Sequence, residues 1–135
     1  MLLETLLATQ EETTWFEFKA KRMKAEDMGR WISALANGAF LEKEAYGYLI
    51  FGIDAKTKTV KGVNQFWPMR IPKNEDLQAT ILPDLSPRIN FEIHELIREE
   101  DKKKIIFVKI PAGSKKVRFK GKAYILYLKE SSGSV

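Results

Sequence analysis

The chain contains no cysteine and only one histidine among its 135 residues. Without cysteine there is no disulfide framework and no thiolate zinc site. A single histidine excludes two-histidine zinc sites, and a Ser-His-Asp triad would have to use His94 itself. His94 occupies a polar position of an alternating segment, which is typical of an exposed strand histidine. The chemistry of the chain must therefore come from carboxylate, lysine, hydroxyl and backbone groups.

Long apolar runs and nucleotide-binding loops are also missing. No apolar stretch is long enough to span a bilayer, and Met1-Leu-Leu-Glu4 lacks the basic and apolar regions of a signal peptide. No Gly-x4-Gly-Lys-Ser/Thr segment occurs, so the phosphates of ATP would have no loop of that kind to hold them. These absences predict a cytoplasmic protein with no membrane partner and no ATP site.

The size and composition of the chain are those of one domain. With 44% apolar and 30% charged residues, the chain can bury a core of its own. We therefore predict a single domain over residues 1–135. The last residues, Glu130-Ser-Ser-Gly-Ser-Val135, look like a cut within a longer protein. A further C-terminal domain is expected on that basis.

The net charge of +5 is concentrated in clusters. One cluster lies at and just after the first predicted strand, and another spans residues 115–122 with aromatic residues interleaved. Lysine and arginine neutralise phosphates and aromatic rings stack on bases, so such clusters are typical of nucleic-acid binding. The alternation of charge over residues 116–122 predicts that these side chains share one strand face. The candidate nucleic-acid-binding residues are Lys19, Lys21, Arg22, Lys115, Lys116, Arg118, Lys120 and Lys122.

Hydrophobic periodicity predicts an α+β domain with a mixed, largely antiparallel sheet and two main helices. A short N-terminal helix is expected before the first strand. The strands are predicted at residues 14–19, 46–53, 59–63, 89–94, 105–110, 117–119 and 123–128. The main helices are predicted from about residue 26 and residue 74. Asn37-Gly38 is the expected end of the first, unless residues 39–41 prolong it, and Pro83 ends the second. The alternation changes phase after His94, which predicts a bulge or a strand end there.

Three carboxylates lie on or beside the first two strands: Glu12, Glu17 and Asp54. If these strands are neighbours, the three side chains would converge. Such a cluster is either a divalent-metal site or a set of salt bridges. The second alternative is open because Lys19 shares a face with Glu17. Asp54 also has a structural explanation, since aspartate is a favoured turn residue. Asn37 is equally open, as a helix-end residue or as a group that orients a ligand or a metal-bound water.

Six short motifs follow one another along the chain: Glu12-x4-Glu17-Phe-Lys19, Ala34-x-Ala-Asn37, Gly52-Ile-Asp54, Val60-x-Gly62, Ile110-Pro111 and Gly121-Lys-Ala-Tyr124. In this order they resemble the Schlafen-type AlbA domain, a family regarded as DNA-binding and found duplicated in the core of the Schlafen proteins. The resemblance covers residues 11–128. In two places the chain departs from the family. Residues 39–46 replace a compact Gly-Gly turn, and Tyr124 is followed by Ile-Leu126 instead of Ile-Arg.

The resemblance implies the N-terminal, nucleic-acid-binding domain of a bacterial transcriptional-regulator-type protein, which binds the phosphate backbone through its basic clusters. By analogy with the duplicated core, it also implies a homodimer that forms a basic groove. The alternative is a Schlafen-like ribonuclease acting on tRNA or rRNA, with Glu12, Glu17 and Asp54 as catalytic residues that hold Mg²⁺ or Mn²⁺. A third hypothesis is a protein-interaction or oligomerisation domain whose basic surface is incidental.

Overall fold

The computed structural model describes residues 2–8, 13–21, 23–63 and 73–126. Within these ranges the helices are α1 (Leu2–Ala8), α2 (Ala25–Leu41) and α3 (Lys73–Ile81). The strands are β1 (Phe16–Lys19), β2 (Tyr46–Phe51), β3 (Leu85–Ser86), β4 (Glu92–Ile97), β5 (Lys104–Pro111), β6 (Arg118–Phe119) and β7 (Lys122–Ala123). This is the predicted α+β class, with α2 and α3 as the two main helices. None of the helices in these ranges has the length and apolar character that crossing a membrane requires.

The strands form a large sheet with the order β1-β2-β5-β4 and a small sheet with the order β3-β6-β7. The large sheet is antiparallel except for the parallel pair β1–β2. Parallel neighbours need a long crossover connection, and α2 provides it. In this pair Glu17 lies opposite Leu49, and Lys19 lies opposite Phe51. The two strands that carry or precede the candidate carboxylates are therefore direct neighbours, as the sequence argument required.

Both faces of the large sheet are covered by helix. One face packs against α2 through side chains such as Leu49 and Val108. The other face packs against α1, whose Leu3 and Leu6 lie in a second cluster with Ile50. A strand that is buried on both faces needs apolar residues at nearly every position. This explains why β2 is an almost continuous apolar run.

Several strand predictions were wrong in detail. The strand predicted at residues 89–94 lies at Glu92–Ile97, and the strand predicted at residues 123–128 is the short β7, Lys122–Ala123. The predicted return strand at residues 59–63 is reduced to a single bridge between Ile53 and Val60. Strand β4 pairs with β5 without a break as far as Ile97, so the predicted bulge or end after His94 does not occur. The phase changes because Ile93 packs on the α2 side of the sheet whereas Leu96 packs on the α1 side. His94 itself is 57% exposed, as its polar position predicted.

Helix α2 continues past the predicted stop at Asn37-Gly38 and ends at Leu41. The glycine serves a packing purpose and does not end the helix. A Cβ atom on Gly38 would lie 1.7 Å from the carbonyl oxygen of Thr14, which precedes β1. Only a residue without a side chain allows the helix and this backbone to approach so closely.

Asn37 is buried about one turn before the end of α2 and joins the helix to the C-terminal part of the chain. Its Nδ2 donates to the carbonyl oxygens of Val117 (3.0 Å) and Tyr124 (2.8 Å), and its Oδ1 accepts from the N–H of Val117 (2.8 Å). One turn earlier, Ser33 Oγ donates to the same Val117 carbonyl (2.8 Å) and accepts from the N–H of Tyr124 (3.1 Å). Both amide hydrogens of Asn37 are bonded to backbone, so neither is left for a ligand or a metal-bound water. The helix-end interpretation was wrong as well.

We expect Asn37→Ala to destabilise the protein by about 2–3 kcal/mol, because it leaves buried backbone groups without partners. The better helix propensity of alanine offsets less than about 0.7 kcal/mol of this loss. Urea unfolding followed by circular dichroism measures the difference. The control is Asn90→Ala, the same substitution at an exposed position. Equal unfolding midpoints for the two variants would contradict the structural role of Asn37.

Candidate nucleic-acid interface

The second basic cluster lies on a loop and a tight hairpin that we call the basic hairpin, residues 115–122. Strands β6 and β7 are joined by Lys120 and Gly121, whose φ angles are 50° and 82°. Two successive positive φ angles are the requirement of a type I′ turn. Arg118 pairs with Ala123, and Phe119 pairs with Lys122, so Arg118 and Lys122 lie on opposite faces of the hairpin. The prediction that Lys116, Arg118, Lys120 and Lys122 share one strand face was therefore wrong, because the chain reverses at Lys120.

All five cations of the basic hairpin are exposed to solvent. Within the part of the chain that the structure describes, no carboxylate lies within 4.0 Å of the charged atoms of four of them. Between them, Val117 and Phe119 are buried and anchor the hairpin in the core. The Phe119 ring lies so close to α2 that a Cβ atom on Gly29 would be 2.2 Å from it. The four cations without a carboxylate partner are Lys115, Lys116, Arg118 and Lys122.

Lys120 differs from the other four because it is already paired. Its Nζ lies 2.6 Å from Glu26 Oε1, at the N-terminal end of α2. The hydrogen bond between them raises the pKa of Lys120 and lowers the pKa of Glu26. Arg30 also contacts Glu26, at 3.2 Å, and its pKa is raised chiefly by a hydrogen bond with Tyr124. The turn of the hairpin is thus attached to α2 by charge as well as by the buried residues.

The first basic cluster contacts another side of α2. Lys19 Nζ lies 4.4 Å from the centre of the Trp31 ring and 3.9 Å from Glu17 Oε2. Trp31 follows Glu26 by five residues, which corresponds to about 140° around a helix with 3.6 residues per turn. The two basic clusters therefore approach α2 from different directions. Lys21 is exposed, and Arg22 lies outside the described residues.

Two of the three candidate carboxylates lie in the described part of the chain, and Glu12 lies outside it. Asp54 Oδ1 accepts the backbone N–H groups of Lys56 and Thr57, both at 2.9 Å. These bonds, above all the one from Thr57, lower the pKa of Asp54 and keep it ionised. Glu17 lies beside Lys19, as the salt-bridge alternative predicted.

The described donors do not form a metal site by themselves. No group of three histidine, cysteine, aspartate or glutamate residues in the described ranges is placed to hold a metal ion. Glu17 and Asp54 offer the carboxylate oxygens that Mg²⁺ and Mn²⁺ prefer, but each already contacts other groups of the protein. The convergence of both residues with Glu12 stays a prediction, and we derive no reaction step through a metal.

An apolar groove beside the basic hairpin was not predicted from the sequence. It has a volume of about 380 Å³ and is open to solvent. Its signal in the sequence is the apolar segment of residues 39–41, which prolongs α2 beyond Asn37-Gly38. The lining residues are Asn37, Phe40, Leu41, Lys116, Ala123, Tyr124 and Ile125.

Comparison with known proteins identifies the family. No curated protein matched the chain. Among solved structures, the DIP2311 protein from Corynebacterium diphtheriae is similar, with 13% identity, a TM-score of 0.47, and coverage of 89% of this chain. This chain corresponds to 23% of that protein, and a likeness at this level supports no functional argument.

The profile of the family described as Schlafen, AlbA_2 matches residues 12–134. This family is generally related to nucleic acids. Because the match covers nearly the whole sequence, the chain belongs to the Schlafen AlbA_2 family.

Proposed function

We propose that this protein is the nucleic-acid-binding domain of a transcriptional regulator and that it binds the phosphate backbone, with DNA as the expected ligand. One observation carries the proposal. Four exposed cations of the basic hairpin have no carboxylate partner among the described residues, while the backbone that bears them is fixed to the core. The homodimer, the cytoplasmic location and the additional C-terminal domain expected from the sequence are part of this proposal.

A fixed array of unpaired cations suits a polyanion for a physical reason. Each lysine or arginine that neutralises a phosphate releases condensed counterions, which drives binding at low salt. Because Asn37 and Ser33 hold the backbone at Val117 and Tyr124, little backbone entropy is lost on binding. Lys120 contributes less in this proposal than the sequence suggested, because a phosphate would compete with Glu26 for it.

We expect the double variant Lys116→Gln/Arg118→Gln to bind labelled duplex DNA more weakly, with a salt dependence that is smaller by about two in the slope of log K against log [KCl]. Fluorescence anisotropy over a series of salt concentrations measures this slope. Lys120→Gln should reduce the slope by less than Lys116→Gln alone or Arg118→Gln alone, because Lys120 is paired with Glu26.

The matched control for that experiment is Lys56→Gln/Lys102→Gln. It removes the same charge from exposed lysines on two turns outside the basic hairpin. If this control lowers the slope as much as the hairpin variant, binding is a diffuse effect of net charge. The assignment of the interface to the basic hairpin would then be wrong.

One observation favours a second candidate function, the metal-dependent ribonuclease. The N–H of Gly52 donates to the carbonyl oxygen of Lys19 at 2.7 Å, so the end of β1 meets the start of the turn that carries Asp54. The elements that bear Glu17 and Asp54 are therefore adjacent. This candidate is weaker than backbone binding, because Glu17 and Asp54 each already contact other groups of the protein.

Incubation of labelled tRNA with the protein, in Mn²⁺ or in EDTA, separates the two functions on one gel. We expect intact tRNA of reduced mobility in both conditions, since binding through lysine and arginine needs no metal. Shortened tRNA only in the Mn²⁺ lanes, absent with Glu17→Gln and present with Glu92→Gln, would establish the nuclease instead. Glu92 is a suitable control because it is an exposed carboxylate on β4, the opposite edge strand of the sheet.

A further inference from the structure

The groove beside the basic hairpin has two walls that the fold holds in place. Phe40 and Leu41, in the last turn of α2, form one wall, and Tyr124 and Ile125, which follow β7, form the other. The backbone at Tyr124 is bonded to both Asn37 and Ser33. The groove exists because α2 continues beyond Asn37-Gly38 and so brings Phe40 and Leu41 opposite Tyr124 and Ile125.

Exposed apolar surface is concentrated in this groove. Six large hydrophobic residues are exposed in the described part of the chain, and three of them line the groove. Their exposed fractions are 49% for Phe40, 59% for Leu41 and 43% for Ile125. Single exposed apolar residues are normal on a protein surface, but a contiguous group indicates a binding site.

The apolar lining of the groove and its single lysine indicate which kind of ligand would fit. Among the described residues, Lys116 is the only charged residue that lines the groove, and none of the described carboxylates does. A second groove, of about 330 Å³ on the α1 side of the sheet, instead combines His94, Glu95 and Lys109. A flat apolar group attached to an anion fits the first groove, because the rings would contact Phe40 and Tyr124 while Lys116 faces the negative charge.

We propose that this groove receives an unpaired nucleobase, so that the domain prefers single-stranded nucleic acid to a duplex. The inference rests on the proposed function, because Lys116 belongs both to the groove and to the basic hairpin. The volume of about 380 Å³ falls within the range of small-molecule sites. Paired bases are stacked inside a duplex, so only an unpaired or extruded base can enter such a groove.

The test compares three labelled probes by fluorescence anisotropy: a short oligothymidylate, the same strand annealed to oligoadenylate, and a strand of equal length with abasic sites. The abasic strand keeps the phosphates and lacks the bases. We expect the wild-type protein to bind the oligothymidylate about tenfold more tightly than the abasic strand. The double variant Phe40→Ala/Leu41→Ala should lose this preference and keep its affinity for the abasic strand. The control Ile97→Ala removes an equally exposed apolar side chain outside the groove and should keep the preference.

The possible failures are distinguishable. Salt-dependent binding of all three probes without any preference for bases would overturn this inference and leave the proposed function intact. A base preference that survives Phe40→Ala/Leu41→Ala would place the base elsewhere and also overturn it. If no probe binds, the proposed function fails first. If the double variant instead converts a dimer into a monomer in sedimentation and leaves base preference unchanged, the groove is a contact between two copies of the chain.

Discussion

Two side chains on α2, Asn37 and Ser33, determine where the C-terminal hairpin lies, and every candidate binding feature depends on that attachment. Their bonds to Val117 and Tyr124 satisfy buried backbone groups that have no strand partner of their own. The exposed cations are carried by the attached hairpin, and one wall of the apolar groove, Tyr124 and Ile125, directly follows it. An aliphatic residue at position 37 would fill the space but leave the peptide groups unpaired, which explains why an asparagine is suitable there.

The cationic residues fall into two groups, which differ in whether a carboxylate of the protein pairs with them. Lys19 and Lys120 are each paired with a carboxylate and contact α2, so they contribute to the internal arrangement of the domain. The other four cations of the hairpin have no such partner within the described ranges and are available to an external anion. Exposed ion pairs contribute little to stability, because water and salt screen them. The position of the turn is therefore determined mainly by the buried Val117 and Phe119, and the pairing with Glu26 chiefly makes Lys120 less available to an external anion.

Much of the fold was predictable because local patterns decide it. The alternation in residues 14–19, the apolar stripe of α2 and the apolar run of β2 each predict their element correctly. The end of α2 was not predictable from Asn37-Gly38, because the glycine is needed for the approach of Thr14, a contact between segments distant in sequence. The phase change in β4 was misjudged for a related reason: periodicity does not reveal that helices cover both faces of the sheet. The positions of the basic residues were predictable, but their sharing of one face was not, since the turn at Lys120-Gly121 reverses the chain.

The bonds of Asn37 and Ser33 also affect how the domain reaches its folded state. They join residues that are 80 to 91 positions apart in the sequence. Contacts of such long range carry a large loop-closure entropy, which falls once the sheet and α2 have brought the two segments together. The defined position of the hairpin therefore depends on a folded α2. A newly synthesised or partly unfolded chain would then present the lysines of the hairpin on flexible backbone, where weak and unselective attraction to polyanions replaces a defined interface.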